Sequence, residues 1–303
     1  MWAGVPNDMS NKLRIQSPWS QLFVFIGMWL ASFVIFSFLA NLVFQLSGGG
    51  NQLGQKILLT DVKSIDTLKV VQLLYSVVQF ALPAFLFARI TFWKRTGYEL
   101  GLRPATDKSF YLLGVLLLIL SFPLEEWLGE VNKHIPLAKW MIDAGNANEK
   151  QVEAFLKVHH SFDPVINVVL MAAIPAICEE LFFRGALQRI MIRLFKRPLP
   201  GILVAAFLFS FYHFEFGGFI PRLFLGALLG AVYWYSGSLW VAIVGHFFFN
   251  AVQIIVAMSF PDMISKDTSI PLVLVAFSIA IVVGLLYWMR SRSTSSYTTV
   301  YES

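Results

Sequence analysis

Between Arg14 and Lys56 the chain carries no charged residue, and within that stretch an apolar run extends from about Trp19 to Leu46. That run exceeds the ~20 residues a helix needs to cross the hydrocarbon of a bilayer. A secretory signal has an apolar core of only roughly 7 to 15 residues and ends at a small-residue cleavage site. This run is longer and Phe-rich, so it reads as a retained first transmembrane helix. Seven further apolar stretches follow, at about 68–93, 110–128, 165–195, 199–216, 219–235, 239–258 and 270–288. The expected fold class is all-α, a polytopic helical membrane protein of about eight transmembrane helices, with the fifth and sixth short. Composition agrees, since 57% of residues are hydrophobic and only 14% are charged, against roughly 25% charged in soluble proteins. Both a soluble globular fold and disorder are excluded.

The single cysteine, Cys178, rules out a disulfide framework within the chain and has no second Cys for a thiolate metal site. The net charge of +5 is no nucleic-acid footprint, because the basic residues fall in loops between apolar runs, where they act as topology signals. Arg89, Lys94, Arg95, Arg103 and Lys108 lie between spans two and three, and Arg189, Arg193, Lys196 and Arg197 between spans four and five. With Lys12, Arg14, Arg290 and Arg292, thirteen basic residues share one side, against nine on the other. Both termini are therefore expected to be cytoplasmic. The chain divides into residues 1–164 with spans one to three and their loops, residues 165–253 with spans four to seven, and residues 254–303 with the end of span seven, the last helix and a flexible tail. The stretch from Glu130 to Asp163 is polar and of mixed charge and reads as an extramembrane loop.

A few residues break the hydropathy pattern: Glu179, Glu180 and Arg184 in span four, His213 in span five, and His246 and Asn250 in span seven. Each acid or arginine at mid-membrane costs ~2.5 to 3.5 kcal/mol in lipid, so these side chains must face the bundle or a wet cavity. Pro175 frees the carbonyl of Met171 and is expected to bend the helix beside the acid pair. Glu180 and Arg184, at i and i+4, share a helix face and suit an internal ion pair. Glu179 is turned about 100° away and can point into the bundle. His246 and Asn250, also at i and i+4, stack an imidazole and an amide on one face. Counted from the basic loop, Glu179 lies about 22 Å and His213 about 20 Å into their spans, so the two can meet. His246 lies only about 12 Å from Ser238, a shortfall that a tilted span must absorb. A carboxylate, two imidazoles and an amide in a dry cavity suit hydrolysis. Glu179 and one imidazole can take a proton from water while the other imidazole and the amide donate to the developing oxyanion. Glu179, His213 and His246 can instead bind a divalent metal such as zinc, which acidifies a bound water. Sequence leaves both modes open.

The residues Glu179-Glu180-Leu-Phe-Phe-Arg184 fit EExxxR, Phe209-Ser-Phe-Tyr-His213 fits FxxxH, and His246-Phe-Phe-Phe-Asn250 fits HxxxN. In that order on successive helices, they resemble the CAAX protease and bacteriocin-processing family of intramembrane endopeptidases, also called the Abi family. The resemblance spans roughly Val165 to Gln253. It implies peptide-bond hydrolysis in a membrane-tethered protein or peptide held in the lipid bilayer, in the eukaryotic branch after a prenylated cysteine near a C-terminus. It makes Glu179 with His213 the water-activating pair, His246 with Asn250 the oxyanion stabilisers, and Glu180 with Arg184 structural partners, Glu180 standing closer to the chemistry. It leaves a metal cofactor open.

Other features read as structural. Glu125-Glu126 mimics the acid pair but has Glu130 near the place of the arginine and reads as interfacial. Phe209 and Cys178 read as packing, and His134, His159 and His160 as solvated. Glu215 is a candidate for the pocket entrance. No HExxH, no Gly-x-Ser-Gly and no aspartate within a span supports another protease chemistry. Buried acids and histidines also serve proton-coupled transporters, but those carry repeat-related halves, whereas the polar residues here crowd into one half. A non-catalytic relative that binds membrane partners is the remaining alternative.

Overall fold

The computed structural model describes residues 15, 17–47, 59, 61–92, 96–260 and 270–301. Lys12, Arg14, Lys56, Lys94, Arg95 and Lys266 of the topology count lie outside the described residues. Among the described residues all regular structure is helical. Helix α1 runs over Pro18–Leu46 and α2 over Val62–Phe92, then α3 over Ser109–Leu120 and α4 over Phe122–Lys133. After them come α5 at Lys139–Leu156, α6 at Asp163–Phe195, α7 at Pro198–Tyr212, α8 at Phe219–Ser236, α9 at Leu239–Ser259 and α10 at Leu272–Arg292, with a short α11 at Tyr297–Tyr301. Six helices are long and apolar enough to cross a membrane, or seven if α3 and α4, bent by 41° at their junction, form one span. The remaining apolar segment, α7, has 15 residues, which at a rise of ~1.5 Å per residue reach about 22 Å.

Two core clusters meet at the site. Leu117, Leu229 and Leu239 centre the packing of α3, α8, α9 and α10, while Phe80, Phe87, Phe183 and Ile190 centre that of α1, α2, α6 and α7. Helix α1 is the periphery: Phe23, Val34 and Phe38 are more than 60% exposed, as lipid-facing side chains must be when lipid is as apolar as they are. At its polar contact, Ser32 donates to Gln79 Oε1 of α2 at 3.2 Å. The α2 N-terminus is capped by Asp61, which accepts from the Ser64 N–H at 2.9 Å, and the Ser64 hydrogen bonds hold the Asp61 carboxyl below its ordinary range.

Helix α6 passes Pro175 without breaking. The residues Val169–Ala173 before it adopt the wider π-helical winding, which accommodates the hydrogen bond that proline cannot make, and Leu181–Gln188 after it are π-helical as well. Its N-terminus is pinned by an ion pair that sequence alone left in a loop: Lys69 Nζ lies 3.2 Å from Asp163 Oδ1 with both side chains buried. The other Asp163 oxygen accepts from the His159 and His160 N–H groups at 2.7 and 2.8 Å. Between α4 and α6 the expected loop is largely helical. Met141, Gly145, Asn148 and Val152 recur at helical spacing along α5 and line the cavity described below, so this polar helix forms one of its walls. The residues after α10, expected to be flexible, include α11, whose Tyr297 and Tyr301 pack against the Ile192, Ile202 and Trp234 cluster.

The turn from α7 to α8 is fixed from α4. Asn132, 1% exposed, donates to the Phe216 and Gly217 carbonyls at 2.9 and 2.7 Å and accepts from the Ile220 N–H at 2.9 Å. Asn132→Ala removes all three bonds and leaves those backbone groups unpaired. It is expected to cost about 2 to 4 kcal/mol, read as a lowered thermal midpoint in detergent. An unchanged midpoint would show the turn to be held by other contacts.

Candidate active site

Glu179 and Glu180 are consecutive in α6 and engage different neighbours. Arg184 Nη1 donates to Glu180 Oε1 at 2.6 Å, and its Nη2 donates to the Gly226 carbonyl of α8 at 3.1 Å. Its guanidinium carbon lies 4.5 Å from the Phe209 ring centre, so α7 covers the charge with an aromatic face. Gly226 lets α8 lie close against α7, because a Cβ there would meet the Ala206 Cα at 3.1 Å. His246 Nδ1 donates to the same Glu180 Oε1 at 2.9 Å. A carboxylate only accepts, so the proton is on Nδ1 and His246 presents Nε2 outward. Glu180, Arg184 and His246 are 0, 1 and 2% exposed, a buried triad spanning α6 and α9. The depth shortfall of His246 is closed in the folded chain, but onto Glu180 rather than Glu179.

Glu179, with 12% of its side chain exposed, faces His213: its Oε2 is 4.0 Å from His213 Nε2. His213 caps the C-terminus of α7, so it stands at the end of a short helix rather than within a span. Its Nδ1 donates to the Phe209 carbonyl at 2.7 Å, which fixes the tautomer and leaves Nε2 an acceptor when the ring is neutral. Phe209, expected only to pack, thus supports the site twice, its ring on Arg184 and its carbonyl on His213. Two acceptors at 4.0 Å are too far apart for a direct bond, yet one water at ordinary hydrogen-bond distance reaches both.

These groups open on one cavity of about 1050 Å³, lined by Glu179, His213, His246 and Asn250 among others. Part of its wall is apolar, with Phe36, Leu68, Val71, Phe155 and Met171. Tyr75 and Tyr212, joined through their hydroxyls at 2.9 Å, line it as well. Glu125 is a correction to the interfacial reading. The bend between α3 and α4 turns it into the cavity wall, where its Oε2 is buried with no hydrogen-bond partner, while Glu126 is exposed. Glu215 also lines the cavity and pairs with Arg222 at 2.6 Å. From α5, the Asn148 amide approaches the His213 carbonyl at 3.4 Å.

Ligand atoms bound about 2.1 Å from one tetrahedral zinc stand roughly 3.4 Å apart, closer than the 4.0 Å between the Glu179 and His213 atoms. Among the described residues no three His, Cys, Asp or Glu side chains are grouped to hold a metal ion. As they stand, Glu179, His213 and His246 do not form a zinc site.

Comparison with curated proteins and with solved structures finds no match. The residues that form the site do match a known family, and the match does not favour the transporter alternative. Residues 161–252, less than a third of the chain, fit the family model described as type II CAAX prenyl endopeptidase, Rce1-like, the kinship to which the EExxxR, FxxxH and HxxxN motifs point.

Proposed function

We propose that this chain is an intramembrane endopeptidase that hydrolyses a peptide bond of a CAAX-type, lipid-tethered protein or peptide. The observation that carries the reading is the pair of acceptors Glu179 Oε2 and His213 Nε2, 4.0 Å apart on a shared cavity with His246 and Asn250. A water between them donates one proton to each, leaving its lone pairs directed at a substrate carbonyl. As the water oxygen attacks, its proton passes to the Glu179 and His213 pair, and the carbonyl oxygen becomes an oxyanion. His246, held against Glu180 through Nδ1, turns Nε2 to that oxyanion and donates to it when that nitrogen carries a proton, and the Asn250 amide adds a second bond. Collapse of the tetrahedral centre breaks the C–N bond, and the proton taken from water passes to the leaving amine. Glu180 and Arg184 act by holding His246. The apolar wall suits a hydrocarbon chain attached to the substrate. On this reading both termini lie on the cytoplasmic side, with the basic connections of spans two to three and four to five.

The direct test is mass spectrometry of a prenylated peptide incubated with the purified protein in vesicles. New C-termini generated by the wild type and absent with His246→Ala are expected, and an intact peptide would overturn the reading. Chelation is expected to leave the rate within about twofold, because the proton transfers run through carboxylate and imidazole. Loss of activity on dialysis against a chelator, restored by one divalent ion, would replace this mechanism with a metal-assisted one.

A further inference from the structure

Among the described residues that line the cavity, Arg222 is the single Lys or Arg, facing Glu125, Glu149, Glu179 and Glu215. Glu215 orients it: Arg222 Nη2 donates to Glu215 Oε2 at 2.6 Å and Nη1 to the Glu215 carbonyl at 2.9 Å. The Gly218 N–H fixes the carboxylate in turn, at 2.9 and 3.1 Å from its two oxygens. A guanidinium has five N–H donors, and this one, 21% exposed, spends two on Glu215. The remaining donors are free to serve a ligand in the cavity.

We propose that Arg222 is a specificity-determining residue that receives the free C-terminal carboxylate of the peptide substrate. The proposal rests on the endopeptidase reading above. A carboxylate matches the guanidinium fork, and the acids elsewhere on the wall offer it no cation. No other Lys or Arg among the described cavity-lining residues offers a second seat for an anion. Charge therefore sets the polarity of the bound peptide, with its C-terminal end at Arg222 and its scissile carbonyl at Glu179 and His213. The segment from His213 to Arg222 joins the end of α7 to the first turn of α8 and is clamped by Asn132, which fixes the offset between the seat for the carboxylate and the activated water. An internal segment of a longer chain would bring neutral amides to Arg222 and gain no charge-assisted bond there.

The test uses the full chain in phosphatidylcholine vesicles and one prenylated peptide made as the free C-terminal acid, as the C-terminal amide, and as the amide ending in aspartate. For the wild type, kcat/KM for the acid is expected to exceed that for the plain amide by about 10- to 100-fold. The aspartate amide should resemble the plain amide. Arg222→Gln is expected to bring the acid-to-amide ratio close to one, and Arg222→Lys to retain part of it, a change in selectivity that a purely structural role would not produce. Equal cleavage of acid and amide by the wild type overturns the proposal and leaves the endopeptidase reading standing. Aspartate amide cleaved as fast as the acid overturns it too, since the seat would then read any anion. No cleavage of any form overturns the endopeptidase reading and this proposal with it. Should Arg222→Gln fail to fold, product inhibition of the wild type decides: the released peptide is expected to inhibit at least about tenfold more strongly as acid than as amide, and equal inhibition overturns the proposal.

Discussion

Glu179→Gln is expected to leave the protein folded and to lower kcat about 100- to 10,000-fold, the range ascribed to a positioned general base. Among the described residues no side chain or backbone group donates a hydrogen bond to the Glu179 carboxylate, and His213 Nε2 stands 4.0 Å from it. Gln has the same shape and can still orient a water through its amide oxygen, but it cannot take the proton. The loss therefore falls on the chemical step, with KM changed little because substrate contacts are kept. Thermal unfolding in detergent should agree with the wild type within about 1 kcal/mol, the surface-like outcome for a group that supports no packing. Turnover of a prenylated peptide at a rate within fivefold of wild type would remove Glu179 from the chemistry. The neighbouring acid offers the internal control, because Glu180 is buried in an ion pair and its replacement is expected to disturb stability as well as rate.

This division between adjacent acids was legible in the sequence, and the reason is geometric. An i and i+4 spacing brings Glu180 onto Arg184, and a turn of about 100° takes Glu179 away from it. The near-equal depths of Glu179 and His213 followed from helical rise alone. What escaped was whatever depends on where a helix bends, ends or meets another. Glu125 reads as interfacial because its segment looks like the end of a span; only the 41° bend at residue 121 turns it inward. His213 reads as lying within a span, but α7 stops at Tyr212, which leaves His213 and the Arg222 turn at the cavity. The α5 wall was hidden because Met141, Gly145, Asn148 and Val152 form too mixed a stripe to stand out against a polar segment, although their spacing carried the signal. His246 joined Glu180 because α9 meets α6 there, a tertiary fact with no local mark. At Pro175 a kink is expected; α6 instead runs on as one span, with π-helical segments on both sides of the proline, and Arg184 lies within the second of these.

Arg184→Ala is expected to destabilise the protein by about 3 to 5 kcal/mol, the cost of stranding one partner of a buried ion pair. The site makes this sharper than for an ordinary pair. Glu180 is 0% exposed, and with Arg184 gone its Oε1 keeps only the His246 bond, while the Gly226 carbonyl loses its donor and the Phe209 ring its cation. Activity should fall with stability, since a displaced Glu180 no longer orients His246. The double replacement Glu180→Leu with Arg184→Met separates the two effects. Removing both charges together leaves no stranded ion, and apolar side chains of similar volume restore packing, so stability is expected to return to within about 1 to 2 kcal/mol of wild type or above it. Peptidase activity should not return, because His246 Nδ1 then faces a leucine and the ring has lost the carboxylate that orients its Nε2 toward the oxyanion. Paired melting curves and rates on the same preparations would measure both. Recovery of activity along with stability would mean that the ion pair serves the fold alone and that His246 needs no partner, whereas a stable, inactive double variant would locate the role of Glu180 in holding the imidazole.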